Sequence, residues 1–213
     1  MSIKVRVISD FLCPWCFVGA ERLDRALNVL IQKGISVDVT WHSFLIEHRI
    51  PKGGMPFGEY MDKRWGAPHP YWLNDVEESS RVDDLHLRWN DVAVDTLEAH
   101  CCSEYVGKKY PDKQHAFHMA LLRGNYVHNK NISNRDVIGQ IADECGLNGK
   151  EIAAQTEFSR NDIYNLCQQF PDVNGVPDIT FYQDGKQLFR YSGAQSTQWI
   201  LRKLVDKKVI SLA

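Results

Sequence analysis

A chain of 213 residues, 44% hydrophobic and 24% charged, can bury a core without disulfide staples, which argues against a disordered or cystine-framework class. Its formal net charge of -2, with no local run of Lys and Arg, argues against a nucleic-acid partner. Residues 1–9 read as a strand rather than a secretory leader, and no apolar stretch approaches the roughly 18 residues of a membrane span. A cytoplasmic, reducing location without membrane contact is therefore expected, in which six cysteines act site by site rather than as a disulfide framework.

Ile3, Val5 and Val7 alternate with Lys4 and Arg6, the pattern of a strand with a buried face. Cys13-Pro14-Trp15-Cys16 follows at once. Val18, Ala20, Leu23, Ala26, Leu27, Leu30 and Ile31 then recur at helical spacing, and Gly34 supplies a stop. Val37, Val39 and Trp41 alternate with Asp38, Thr40 and His42, giving a second strand parallel to the first. Between 51 and 70 the text turns to Gly, Pro and aromatic residues, after which helical periodicity covers 92–106, 114–122 and 135–145. Ser133 and Asp136 make a capping-box-like start for the last of these, and Gly146 a stop.

A further helical stretch over 150–169 leads to Gly175-Val176-Pro177 and a strand through Ile179, Phe181 and Tyr182. Asp184-Gly185 signals a hairpin turn, Leu188, Phe189 and Tyr191 complete the hairpin, and Ile200, Leu201, Leu204 and Val205 mark a final amphipathic helix. The hairpin must be antiparallel while the first two strands are parallel, so the order predicts an α/β fold with a mixed sheet. Residues 1–55 and 150–213 would form the sheet domain and 56–149 an all-helical insertion.

Two cysteines separated by two residues at a helix start can close a small disulfide ring, and the unpaired N–H groups of the first turn favour thiolate on the first of them. Cys13 is thus the expected nucleophile and Cys16, one turn further in, the resolving thiol. Pro14 suits the first turn because its missing N–H would be unpaired there, and Trp15 offers a flat apolar surface beside the sulfur. The rival reading of Cys-x-x-Cys is a zinc knuckle, which needs two further soft ligands. Adjacent Cys101 and Cys102 diverge on a helix and Cys145 and Cys167 lie far off in sequence, so no metal site is expected and these four read as small buried residues.

The run 9–19 around CPWC, then Asp95-Thr96-Leu97-Glu98-Ala99-His100, Gly175-Val176-Pro177 and Ser192-Gly193-Ala194-Gln195, resembles the FrnE-like branch of the DsbA superfamily over nearly the whole chain. That resemblance implies a thioredoxin-like mixed sheet split by a helical domain. It implies that Pro177 is a cis-proline facing the CPWC pair, with the Val176 backbone free to pair with an extended substrate. Asp10 and His100 match its pattern, Asp10 as a loop cap or an aid to proton transfer and His100 as a packing residue or a cleft wall. Asp178 departs from it, standing where relatives carry an apolar residue. A carboxylate near Cys13 would oppose its thiolate, and the expectation adopted is that Asp178 points to solvent. Trp65, Tyr71 and Trp72 are candidates for an apolar substrate wall or for packing.

The leading expectation is a thiol-disulfide oxidoreductase of the protein-disulfide oxidoreductase/isomerase type, exchanging with protein or small-molecule thiols and disulfides. No tightly bound cofactor is expected, glutathione is the candidate thiol co-substrate, and a homodimer is the expected assembly if the resemblance extends that far. One alternative is a glutathione-dependent isomerase or transferase, because 2-hydroxychromene-2-carboxylate isomerase and Kappa-class glutathione transferases are similar in architecture. Those relatives replace the cysteine pair with a serine-led motif and carry an acidic residue at the last helix, where this chain has Gly193-Ala194-Gln195. A second alternative is a redox-independent chaperone binding unfolded chains on the insert.

Overall fold

The computed structural model describes residues 2–68 and 70–211. Met1, which the predicted first strand includes, lies outside the described residues.

Strand β1 (Ser2–Ser9) carries Ile3, Val5 and Val7 into the core. Helix α1 (Pro14–Gln32) buries Phe17, Val18, Leu23, Leu27 and Leu30 on one face, each contributing about 1.5–3 kcal/mol of apolar burial. It ends at Gly34, whose φ of +75° a side chain would resist. Strand β2 (Ser36–Ser43) returns parallel to β1, with Ile3 opposite Val37 and Val7 opposite Trp41.

The aromatic-rich region contains a two-residue strand β3 (Met55–Pro56), helix α2 (Phe57–Trp65) and helix α3 (Trp72–Val82), followed by a two-residue strand β4 (Val92–Ala93) paired antiparallel to β3. The predicted helix over 92–106 is corrected accordingly. Residues 92 and 93 are spent on that pairing, the Asp95 carboxylate accepts the Leu97 N–H, and α4 runs Leu97–Lys109. Helix α5 (Pro111–Tyr126) starts with proline in its first turn and outruns the predicted 114–122 at both ends. Helix α6 (Arg135–Glu144) is capped by Asn134, whose side chain accepts the Asp136 N–H. Ser133, the predicted cap, instead accepts the backbone N–H of Asp95. The stretch 150–169 is two helices rather than one, α7 (Gly149–Ala154) and α8 (Arg160–Cys167). A Ser159–Asp162 capping box restarts the chain after the break.

Strands β5 (Asp178–Gln183) and β6 (Lys186–Ser192) form the hairpin, turning through Asp184 and Gly185 with φ of +51° and +75°. Helix α9 (Thr197–Asp206) closes the described chain and packs on α1. The main sheet runs β2-β1-β5-β6, parallel at its first pairing and antiparallel at the other two, which is the mixed sheet expected. Strand β2 lies at one edge, where α5 covers it. Gln114 accepts the Trp41 N–H through Oε1 and donates through Nε2 to the Trp41 carbonyl, at 3.1 and 3.0 Å.

Candidate active site

The chain leaves β1 at Ser9 and enters α1 through a tight turn in which the Cys13 N–H donates to the Asp10 carbonyl at 3.1 Å. Cys13 is the N-cap of α1, with extended φ/ψ, and its Sγ accepts the Cys16 N–H at 3.3 Å. A sulfur in this position receives one of the first-turn N–H groups that a helix leaves unpaired. Both thiols are free. Cys13 retains 7% of its surface and Cys16 only 1%. Burial, reinforced by the neighbouring Cys13 sulfur, pushes the Cys16 thiol well above the ordinary thiol range, so it stays protonated at neutral pH.

The Cys13 thiol lies 3.6 Å from the Val176 carbonyl oxygen. The Val176–Pro177 peptide is cis, and the Pro177 carbonyl accepts the Gly193 N–H at 2.8 Å. Gly19 permits this approach of α1 to the proline loop, because a Cβ there would stand 2.9 Å from Pro177 Cγ. Pro14, Trp15, Val176 and Pro177 thus gather near the Cys13 sulfur, Pro14 and Trp15 on the cavity side described below and Val176 on the proline-loop side.

Asp10 is wholly buried and ties the turn to two other segments. Its Oδ1 accepts the Leu12 N–H at 3.1 Å, Oδ2 accepts the Ile46 N–H at 2.8 Å, and His100 Nε2 lies 3.2 Å from Oδ1. His100 is also fully buried, packs against Phe11 with ring centroids 4.7 Å apart, and forms no part of the cavity wall.

The expectation for Asp178 is corrected. Its side chain is 6% exposed rather than turned to solvent, and Arg190 Nε donates to both carboxylate oxygens at 2.9 and 3.0 Å. Asp178 and Arg190 are diagonal neighbours across the β5–β6 pair, with Asp178 opposite Ser192 and Thr180 opposite Arg190. A buried carboxylate needs such a partner. Of the other cysteines, Cys101 and Cys102 are fully buried and pushed up to about 12 by that burial, whereas Cys145 and Cys167 are half-buried.

A cavity of about 320 Å³ opens beside Cys13. Leu12, Cys13, Pro14 and Trp15 form one side; Phe57, Tyr60, Met61 and Trp65 of α2 and Trp72 of α3 form another; and Trp89, Val92, Val94 and Tyr126 complete the walls. Trp65 and Trp72 therefore belong to the wall, while Tyr71 is 86% exposed. Arg64 also lines the cavity, but its guanidinium is paired with Glu47 and donates to the Ile46 carbonyl. Hydrogen bonding from Arg49, with the charge of Arg64 adding, holds the Glu47 carboxyl down at about 2. Sequence reading missed Phe57, Tyr60, Trp89 and Tyr126. The aromatic density of 51–70 was a signal for the first two, whereas Trp89 and Tyr126 reach the cavity through tertiary packing alone.

Among described residues, no helix is long and apolar enough to cross a membrane. In sequence the chain is similar to the uncharacterized protein YwbO of Bacillus subtilis, at 21% identity over 161 residues, 74% of this chain and 73% of that protein. In structure it is similar to a probable DsbA oxidoreductase of Streptomyces coelicolor, with a TM-score of 0.77 and 19% identity over 99% of this chain and 92% of the other. It is also similar to the cytosolic disulfide reductase DsbM of Pseudomonas aeruginosa, with a TM-score of 0.60 and 17% identity over 97% and 95% of the two chains. At these identities the structural likeness speaks for the fold. The model of the DSBA-like thioredoxin domain family matches residues 4–205, nearly the full length, and the chain therefore belongs to that family.

Proposed function

We propose that the protein is a thiol-disulfide oxidoreductase of the protein-disulfide oxidoreductase/isomerase type, working through Cys13 and Cys16. The observation that carries this reading is the position of the Cys13 sulfur: it caps α1, accepts the Cys16 N–H, and stands at the edge of a cavity above a buried second thiol. Cys13 thiolate attacks one sulfur of a partner disulfide, forming a mixed disulfide and releasing the other half as thiolate. Cys16 then loses its proton and attacks the Cys13 sulfur, forming the Cys13–Cys16 disulfide and releasing the second partner thiolate. The two electrons come from the dithiol, and the same steps reversed oxidise a partner. Burial keeps the Cys16 thiol protonated in the resting dithiol, so the first attack falls to Cys13.

The Val176 backbone, next to the cis peptide and beside the sulfur, is the proposed rest for an extended partner segment, and Trp15 and Pro14 its apolar neighbours. Asp10 and His100 serve as positioning residues for the turn that carries Cys13. Partners are protein or small-molecule thiols and disulfides in a cytoplasmic setting, with glutathione as the thiol that resets the couple.

Redox titration of the couple against glutathione, with mass detection, tests the reading. A reversible disulfide joining Cys13 to Cys16 is expected, together with a covalent adduct on Cys13 trapped by Cys16→Ser. A protein that forms neither does not exchange disulfides through this pair.

A further inference from the structure

We infer that the cavity beside Cys13 receives the aromatic group of a low-molecular-weight disulfide, so that among small disulfides the preferred partner is an aromatic one rather than glutathione disulfide. This inference rests on Cys13 as the attacking thiol.

Size is the first argument. An apolar cavity of about 150 Å³ suffices to bind benzene, so one of about 320 Å³ holds an aromatic ring together with the disulfide that links it to the sulfur at the wall. The shape of the wall is the second. Phe57 stacks on Trp89 at 5.5 Å, and Trp72 meets Trp89 and Trp65 edge-on at 6.5 and 5.9 Å. Aromatic rings packed on one another thus make up much of the wall, the kind of surface that an aromatic guest engages.

Charge is the third argument. Glutathione brings carboxylates and an ammonium group that lose water on entry and need partners in the wall. Arg64 is already committed to Glu47 and the Ile46 carbonyl. The two lining amides are likewise spent: Asn90 Nδ2 donates to Asn125 Oδ1 at 2.9 Å, and Asn125 Nδ2 donates to the Phe11 carbonyl at 3.0 Å. Burial keeps the Tyr60 phenol neutral, at about 12. Apart from Arg64, this wall offers no charge to a polar guest.

In the step, Cys13 thiolate attacks the disulfide sulfur attached to the arylmethyl group, which forms a Cys13–S–S–CH2–aryl bond and expels the other half as thiolate. Cys16 loses its proton and attacks the Cys13 sulfur, and the arylmethyl thiolate leaves. Each disulfide reduced costs one dithiol, so a single turnover needs no further reductant.

The test is an anaerobic single turnover of the fully reduced protein with benzyl 2-hydroxyethyl disulfide, bis(2-hydroxyethyl) disulfide and glutathione disulfide. Each rate is divided by that of dithiothreitol with the same disulfide, which removes intrinsic reactivity. The benzyl compound is expected to react at least tenfold faster than the other two on this scale, and Trp72→Leu is expected to bring that ratio below threefold. Trp89→Phe serves as the second variant should Trp72→Leu fail to fold by circular dichroism. Equal corrected rates, or a preference for glutathione disulfide or bis(2-hydroxyethyl) disulfide, overturn the inference and leave disulfide exchange standing. A protein that reacts with none of them overturns the exchange reading instead. In that event Cys13→Ser titrated with benzyl methyl sulfide decides the cavity separately: saturable quenching of tryptophan fluorescence supports an aromatic guest, and its absence removes it.

Discussion

The sulfur of Cys13 and the carbonyl oxygen of Val176 lie 3.6 Å apart, although 163 residues separate them in the chain. Two segments from opposite ends of the sequence therefore meet at one atom, and the outer thiol is sandwiched between a helix start and a proline loop.

That arrangement separates the cysteines by reactivity. Iodoacetamide at neutral pH is expected to alkylate Cys13 well before Cys16, Cys101 or Cys102. The first faces the cavity, and burial suppresses thiolate on the other three. Peptide mass mapping of a time course reads this directly, and equal early labelling of Cys16 would contradict the assignment of roles.

Gly19→Ala should push Pro177 away from α1, since the new Cβ would stand 2.9 Å from Pro177 Cγ and 3.4 Å from the Ala194 backbone. Strain of about 1–3 kcal/mol outweighs the roughly 1 kcal/mol that alanine gains within a helix. A net loss of about 1 kcal/mol in urea unfolding is expected, with slower disulfide exchange. An unchanged midpoint and rate would mean that the loop yields freely.

Asp10→Asn replaces two acceptor oxygens with one, leaving either the Leu12 or the Ile46 N–H buried without a partner. The expected cost is about 1–3 kcal/mol. Loss of activity beyond that of unfolding should show as a lower exchange rate at saturating partner rather than a weaker apparent affinity, because the residue positions the turn instead of touching the partner. An effect on affinity alone would count against this role.

The clasp between α2 and the loop after β2 depends on pH through Glu47. An unfolded glutamate titrates near 4.3, whereas the native carboxyl is held at about 2 by Arg49 and Arg64. A depressed native pKa means that the unfolded chain takes up the proton first. The stabilisation is complete above about 4.3 and is lost as the pH falls toward 2. Denaturant midpoints should accordingly drop more steeply across that window in the wild type than in Glu47→Gln. Parallel curves would show that the clasp contributes nothing.

Alternation in β1 and β2, the Cys-x-x-Cys helix start and the Asp184-Gly185 turn were legible because each is a local signal of period, cap or turn. The interruption between α7 and α8 was also locally written, in Ser159-x-x-Asp162, but continuous apolar periodicity on both sides masked it. The burial of Asp178 was not legible, for a geometric reason. Counting back from a two-residue turn would set Asp178 opposite Tyr191 and place Arg190 on the other face. The irregularity between Phe181 and Tyr182 shifts the register by one residue and brings Arg190 onto the face of Asp178. Asp10 and His100, 90 residues apart, meet only through packing of α4 under the β1 turn.

The amide of Gln114 fills the place that a neighbouring strand would take beside Trp41, presenting one acceptor and one donor where a backbone would present the same pair. A side chain thereby ends the sheet on the β2 flank, the protection that an exposed strand edge otherwise lacks. Any lateral continuation of the sheet, whether in assembly or in misassociation of the folded protein, is directed to the opposite flank, along β6.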